Sequence, residues 1–169
     1  QVQLREPIGT GQNAFGQRIC IENPTSIMAS TQNSIPELDV ITAAARRSGC
    51  GLLIDVNNVY ISAHNLGFDA REFMDAVPAD LVGEIHLAGH ERDANPDDDD
   101  LIDTHSRPVS DTVWALFVRL IERIGPHPAL IEWDNDVPEW SVLKAEALLD
   151  DQHLGVDRGI RLEAASCVI

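Results

Sequence analysis

The chain has 169 residues, of which 44% are hydrophobic, and this is enough to bury the core of one globular domain. It carries 28 acidic and 12 basic residues, and the resulting net charge of −16 argues against binding to nucleic acid or to anionic membranes. No segment reaches the roughly 18 consecutive apolar residues of a membrane span. The three cysteines form no CxxC pair, so we expect neither a disulfide framework nor a zinc ribbon, and a cytoplasmic location suits them.

Four short apolar runs predict buried strands. They are largely continuous rather than alternating, which is typical of strands that are covered on both faces. The predicted strands comprise residues 18–21, 51–56, 81–87 and 129–131, and the last run ends in Glu132.

A stretch with helix start and stop signals follows each predicted strand. The third stretch is the clearest, because its apolar residues recur at helical spacing until Gly125 ends it. The helices are predicted to begin at Ser34 with Glu37, at Asp69 with Glu72, at Ser110 or Asp111, and at Asp136 with Glu139, and to end at Gly49, before Pro78, at Gly125 and near Leu149.

Strand and helix therefore alternate four times, and a (βα)4 segment predicts an α/β fold with parallel strands and helices outside. Alternation alone does not distinguish an open, doubly wound sheet from an arc of a barrel. We expect one structural unit over residues 18–150, flanked by poorly specified segments at residues 1–17 and 151–169.

Each predicted strand ends in a potential metal ligand: Glu22, Asp55, His86 and Glu132. In parallel α/β architectures these strand ends converge on the active site, and an ionisable residue after a buried run is unfavourable unless it is paired or binds a metal. Three carboxylates with one imidazole suit Fe, Mn, Co or Zn, and the set has the character of a catalytic centre. The alternative is that some of these residues form structural ion pairs.

A second candidate cluster follows an acidic run at residues 97–100, which we interpret as solvated surface. Asp103 and His105 occupy alternate positions of an extended loop and therefore face the same way. With Asn57 or Asn58 as an oxygen donor they would form a neighbouring metal site, although a surface loop is the alternative. His90 and His64, each in a predicted loop, are weaker candidates.

Five ordered motifs carry a resemblance to a known family: residues 21–26, 53–60, 83–90, 102–105 and 130–132. Over about residues 18–149 the chain resembles the multinuclear non-haem iron-dependent oxidative enzymes, a family that includes the iron oxidase of methanobactin maturation.

The resemblance implies a TIM barrel of the xylose-isomerase-like type that holds two or three iron ions, with Mn or Zn as possible substitutes. These ions would activate dioxygen to oxidise cysteine residues of a ribosomally made peptide, which a partner protein often presents. Carried over by motif, the implied ligands of the cluster and of an adjoining iron are Glu22, Asp55, His86, Glu132, Asn58, Asp103 and His105.

The chain departs from the family because the strands that precede residue 18, which bring further histidine ligands, are missing. It is then either a piece of a longer enzyme or a half-barrel that forms a homo-oligomer, and an inactive fragment is a third outcome. Two other functions stay open: a divalent-metal isomerase or hydrolase on a related barrel, and a non-catalytic scaffold that binds a partner.

Overall fold

A computed structural model of the chain describes residues 5–27, 35–95 and 97–155. Within these ranges the helices are α1 (Arg5–Phe15), α2 (Glu37–Ser48), α3 (Val56–Leu66), α4 (Ala70–Ala76), α5 (Asp111–Ile124) and α6 (Trp140–Leu154). The strands are β1 (Cys20–Glu22), β2 (Gly51–Asp55), β3 (Val82–Ala88), β4 (Glu91–Arg92), β5 (Leu101–Ile102) and β6 (Ala129–Glu132).

Four strands form one parallel sheet in the order β1-β2-β3-β6, and these are the four strands predicted from the sequence. Their order in the sheet follows their order in the chain. A doubly wound sheet reverses its strand order at a switch point, and the four strands of the described sheet show no such reversal. The parallel α/β class with surrounding helices is confirmed.

The core forms where the helices pack on this sheet. Every residue of β2 is buried, as the continuous apolar run predicted. The helix α5 packs its apolar stripe, including Phe117 and Leu120, into the hydrophobic core that also contains residues of β2. Ser110 caps this helix by accepting a hydrogen bond from the Val113 N–H, and Gly125 ends it. The core therefore fixes the sheet whose carboxyl edge carries the candidate ligands.

The helix α3 is absent from the predictions, and its position corrects the interpretation of residues 57–64. Asp55 is both the last residue of β2 and the N-cap of α3, since its side chain accepts a hydrogen bond from the Asn58 N–H. No loop separates the two elements. His64 therefore lies in the last turn of a helix and not in a loop.

Two helix boundaries differ from the prediction. The last helix begins at Trp140, with Glu139 as its N-cap, and continues to Leu154, beyond Leu149. Asp136 has a φ of 48°, in the left-handed region, so it belongs to a turn before the helix. The helix α2 has Pro36 as its N-cap and ends at Gly49 as predicted, whereas Ser34 lies outside the described residues.

Two segments with no predicted helix or strand also form regular structure. Residues 5–15 form α1, which packs on α2. The acidic run at residues 97–99 is exposed, as predicted, and β4 pairs antiparallel with β5 on either side of it. No helix in the described part of the chain is long and apolar enough to cross a membrane.

Candidate metal centre

The register of the sheet places the four strand-end residues on one face. Glu22 is the partner of Leu53, Asp55 is the partner of His86, and His86 is also the partner of Leu130. Alternate residues of a strand face the same side, so Leu53 shares a face with Asp55, and Leu130 shares one with Glu132. All four candidate ligands therefore project from the same side of the sheet at its carboxyl edge.

Two groups of possible ligand atoms form at this edge, and both contain Asp55. In the first group one ligand atom each from Glu22, Asp55 and His86 lies within 4.8 Å of the others. The second group joins Asp55 to His105 and Glu132 within the same limit. The sequence placed His105 in a separate cluster, whereas the structure brings it to the strand ends. A carboxylate shared by two groups is suited to bridging two cations.

Asp55 is the most deeply buried member, with an exposed fraction of 0%. Its Oδ1 accepts the hydrogen bond from Asn58 N at 2.7 Å, whereas Oδ2 has no hydrogen-bond partner among the described residues. Burial raises the pKa of Asp55 to about 8, although the Asn58 N–H opposes this effect. A buried, unpartnered carboxylate oxygen is unfavourable in a metal-free protein and favourable beside a cation.

The side chain of Asn23 fixes the backbone of Asp55. Its Nδ2 donates to the Asp55 carbonyl oxygen at 3.0 Å, and its Oδ1 accepts from the Asp55 N–H at 2.9 Å. Asn23 is fully buried and follows β1 directly, so its amide extends the hydrogen bonding between β1 and β2 beyond the last strand residue. This pairing holds Glu22 and Asp55 beside each other.

Glu132 lies between two imidazoles. Its Oε2 is 3.1 Å from Nδ1 of His86 and 3.6 Å from Nδ1 of His105. Nε2 of His86 is buried without a hydrogen-bond partner in the described part of the chain, and the nearest carboxylate oxygen in an ion pair, Glu84 Oε1, is 3.7 Å away. A histidine that donates one ring N–H to a carboxylate can offer its other nitrogen to a metal.

The loop after β5 reaches the site because His105 adopts a φ of 48°. This strained conformation is held on both sides: the His105 N–H donates to the Gly89 carbonyl oxygen at 3.0 Å, and its own carbonyl oxygen accepts from Asp134 N. Only glycine fits at position 89, because a Cβ there would lie 1.9 Å from the Arg107 carbonyl oxygen. The loop therefore packs closely across the end of β3, and these contacts fix its position.

Asp103 is held as an anion next to this centre. Its Oδ1 lies 2.9 Å from His105 Nε2 and accepts from Asn57 Nδ2 at 2.9 Å, while Oδ2 accepts from Thr25 Oγ1 at 2.8 Å. Burial would raise the pKa of Asp103, but the contacts with His105, Thr25 and Asn57 outweigh it and keep this pKa below its usual range. The contact between Asp103 and His105 also raises the pKa of His105 to about 9.

The other predicted residues divide into two groups. Asn58 is buried beside the centre, where its Nδ2 lies 3.3 Å from Glu22 Oε1. His90 also lies near it, because its Nδ1 donates to Asn57 Oδ1 at 2.7 Å, and burial lowers its pKa. His64, in contrast, contacts Asp99 of the exposed acidic run and does not join the cluster.

The donor set fits a divalent transition metal. It consists of carboxylate and imidazole groups without a thiolate, a combination that suits Fe, Mn or Zn. Partial burial raises the pKa of Glu22, the attraction of His86 opposes this rise, and repulsion from Glu132 and Asp103 adds to it. Carboxylates that repel one another in a partly buried site are expected to gain stability from bound cations.

The sequence matches the family described as RiPP precursor modification enzyme MbnB/TglH/ChrH over residues 3–153. The chain belongs to this family. A UPF0276 protein of Caulobacter sp. (strain K31) is 50% identical over 138 residues, which are 80% of this chain and 49% of the relative. UPF0276 proteins of Paraburkholderia phytofirmans and Rhizobium meliloti are 41% and 42% identical over 158 and 166 residues. These residues cover 93% and 95% of this chain but only 51% and 53% of the two relatives, so the chain spans about half of each relative's length.

The sequence did not reveal two side chains whose hydrogen bonds hold the site residues in place. Asn23 and Thr25 lie in a motif of the family resemblance, but their partners are 32 and 78 residues away. The only signal was the position of Asn23 next to Glu22 at a strand end, where a polar side chain that becomes buried needs a partner.

Proposed function

We propose that this chain provides the metal centre of an enzyme that oxidises cysteine residues of a ribosomally made precursor peptide, with iron as the cofactor and dioxygen as the oxidant. The observation that carries the proposal is the sharing of the Asp55 carboxylate between two groups of ligand atoms, with its Oδ2 unpartnered among the described residues. Membership of a family of RiPP precursor modification enzymes supports a peptide as the substrate.

The residues of the chain have distinct parts in this proposal. Glu22 and His86 would hold one iron with Asp55, and His105 and Glu132 would hold a second iron with the same residue. Asp103 and Asn58 would provide ligands for an adjoining iron. Iron, when bound, supplies the electron transfer to dioxygen by which the cysteine thiol is oxidised, which the redox-inactive Zn2+ does not supply.

The edges of the sheet support the proposal that further strands complete a barrel. The strands β1 and β6 stand at the two ends of the sheet, and no described strand pairs with their outer edges. Nearby, Leu130 of β6 is exposed, and α6 exposes Trp140 at 74% of its surface. An unpaired strand edge offers its backbone N–H and carbonyl groups to a further strand, and the exposed apolar side chains beside it add surface that such a partner would cover. The remaining strands would come from a longer form of the protein or from a second copy of the chain, and a substrate-presenting partner protein is part of the same proposal.

The test is thiol oxidation in a cytoplasm-like, reducing buffer with the chain loaded with Fe(II) under anaerobic conditions. On admission of dioxygen, a cysteine-containing precursor peptide is expected to change mass in the presence of the wild-type chain with its sheet completed, either in the longer form or in the oligomer. The Asp55→Asn variant is expected to be inactive, and Asp97→Asn, which changes a carboxylate of the exposed run, serves as the matched control. Turnover with Mg2+, Mn2+ or Zn2+ and without dioxygen would instead favour the isomerase or hydrolase. Absence of bound metal in a folded chain would favour the scaffold.

A further inference from the structure

The hydroxyl group of Thr25 contacts two side chains that come from different parts of the chain. Its Oγ1 lies 2.5 Å from Asn58 Oδ1 and 2.8 Å from Asp103 Oδ2. Asn58 belongs to the first turn of α3, whereas Asp103 follows β5. Thr25 therefore links α3, the helix that Asp55 caps, to the loop that carries His105, beside the direct hydrogen bond from Asn57 Nδ2 to Asp103 Oδ1.

Neighbouring contacts fix Thr25 in place. On one side Asn23 is hydrogen-bonded to the backbone of Asp55, and on the other side the Ser26 N–H donates to Ser62 Oγ at 2.9 Å. Pro24, between Asn23 and Thr25, restricts the backbone further. The hydroxyl group of Thr25 is thus held over the amino end of α3.

The two contacts compete for one hydrogen atom. A threonine hydroxyl donates a single hydrogen bond, but both of its partners here are acceptor oxygens. The amide orientation of Asn58 is defined, because its Nδ2 donates to the Asn23 carbonyl oxygen at 3.1 Å and lies 3.3 Å from Glu22 Oε1. Thr25 Oγ1 therefore lies close to one of its two acceptor oxygens with no hydrogen atom between them, which is repulsive. A cation bound to that acceptor oxygen would relieve the repulsion.

We propose that Thr25 is a positioning residue, whose hydroxyl group sets Asn58 Oδ1 and Asp103 Oδ2 at the spacing at which both bind one divalent cation. This inference rests on the proposed function, because it concerns the adjoining iron of the same centre. Thr25 acts through its two partners and does not itself bind the ion. Groups that orient metal ligands typically change metal affinity by about 10- to 100-fold when they are removed.

The test compares Thr25→Val, which removes the hydroxyl group at nearly constant shape, with Thr25→Ser, which retains it. The same substitution at the exposed Thr112, Thr112→Val, is the matched control. Each chain is titrated anaerobically with Co2+ and with Fe2+, and the number of ions, their affinities and the Co2+ absorption spectrum are measured. The melting temperature of each metal-free chain reports on folding.

Thr25→Val is expected to weaken the binding of one class of ions by about tenfold or more, or to abolish it, while the affinities of the other ions stay unchanged. The metal-free melting temperature is expected to fall by only a few degrees, because one hydrogen bond to Asp103 is lost. Thr25→Ser and Thr112→Val are expected to match the wild type within about twofold. In the Asp103→Asn background, Thr25→Val should have no further effect, because the ion it positions is already lost.

Equal ion number and affinity in Thr25→Val and the wild type would overturn the inference and leave the proposed function intact. Loss of all ions together with a lower melting temperature would overturn it too, since that result indicates a general structural role. A wild-type chain that binds no ion would refute the proposed function itself. Should Thr25→Val not fold, Thr25→Ala removes the same hydroxyl group without a second methyl against Asp103 and decides the question in the same way.

Discussion

The metal-free chain should become more stable when Asp55 loses its charge. Asp55 is fully buried, one of its carboxylate oxygens has no hydrogen-bond partner within the described residues, and burial raises its pKa from 3.8 to about 8. The substitution Asp55→Asn retains an oxygen that can accept from the Asn58 N–H, so the N-cap of α3 persists. It removes the charge that the folded, metal-free protein accommodates poorly and places an amide NH2 group at the position of Oδ2.

The sign and size of the effect follow from proton binding. The unfolded chain ionises Asp55 above a pH of about 3.9, whereas the folded chain retains the proton up to a pH of about 8, so wild-type stability falls as the pH rises between these values. At pH 7 the folded state must bind a proton that the unfolded state has lost. This proton uptake costs an upper limit of about 4 kcal/mol, and at pH 4 the cost is close to zero.

The assay is urea unfolding of chelator-treated protein at several pH values between 4 and 8. Asp55→Asn is expected to match the wild type near pH 4 and to gain up to about 4 kcal/mol of unfolding free energy at pH 7. Asp69→Asn is the matched control, because Asp69 caps α4 through the same type of hydrogen bond but is exposed. If the two variants show the same pH dependence, or if Asp55→Asn is less stable than the wild type at pH 7, burial of the Asp55 charge does not destabilise the metal-free protein.

Three further substitutions test the supports of the site and of the core. Asn23→Ala should lower the unfolding free energy by about 2–4 kcal/mol in urea, because the N–H and carbonyl groups of Asp55 lose their partners; a loss below about 1 kcal/mol would contradict this role. Gly89→Ala should lower the unfolding free energy by about 1–3 kcal/mol and weaken Co2+ binding, because its Cβ would displace Arg107 and the loop behind it. Unchanged affinity and stability would show that the loop moves freely. Burial, with repulsion from the neighbouring acid at position 151, raises the pKa of Asp150 to about 6. Asp150→Asn should therefore gain about 1 kcal/mol of unfolding free energy at pH 7 and nothing at pH 4. An equal gain at both pH values would exclude a charge effect.

The sheet and its ligand-bearing edge were predictable because each depends on local patterns. Continuous apolar runs mark β2 and β3, and an ionisable residue directly after such a run marks the edge where the strands converge. Parallel pairing with alternate side-chain directions then brings Asp55 and His86 to one face, as the register shows. Helix ends with a capping serine or a left-handed glycine, such as Ser110 and Gly49, were equally legible.

The contacts within the site were not predictable from local patterns. His105 reaches Glu132 from a loop in which its backbone adopts a left-handed conformation, and a hydrogen bond to Gly89 stabilises that conformation. The helix α3 was missed because one residue, Asp55, serves as strand end, helix cap and candidate ligand together. Its pattern was nevertheless present: an aspartate cap, an apolar stretch and Gly67 as a left-handed end.

Anomalous diffraction at the iron absorption edge is the most direct test of the central claim that Asp55 joins two cation sites. Crystals of the chain would be grown anaerobically with Fe(II), and Asp55→Asn crystals would serve as the comparison. We predict two peaks on either side of the Asp55 carboxylate, one shared with Glu22 and His86 and the other with His105 and Glu132, and their loss in Asp55→Asn. Iron bound only at the exposed acidic run, or peaks that remain unchanged in Asp55→Asn, would contradict the account.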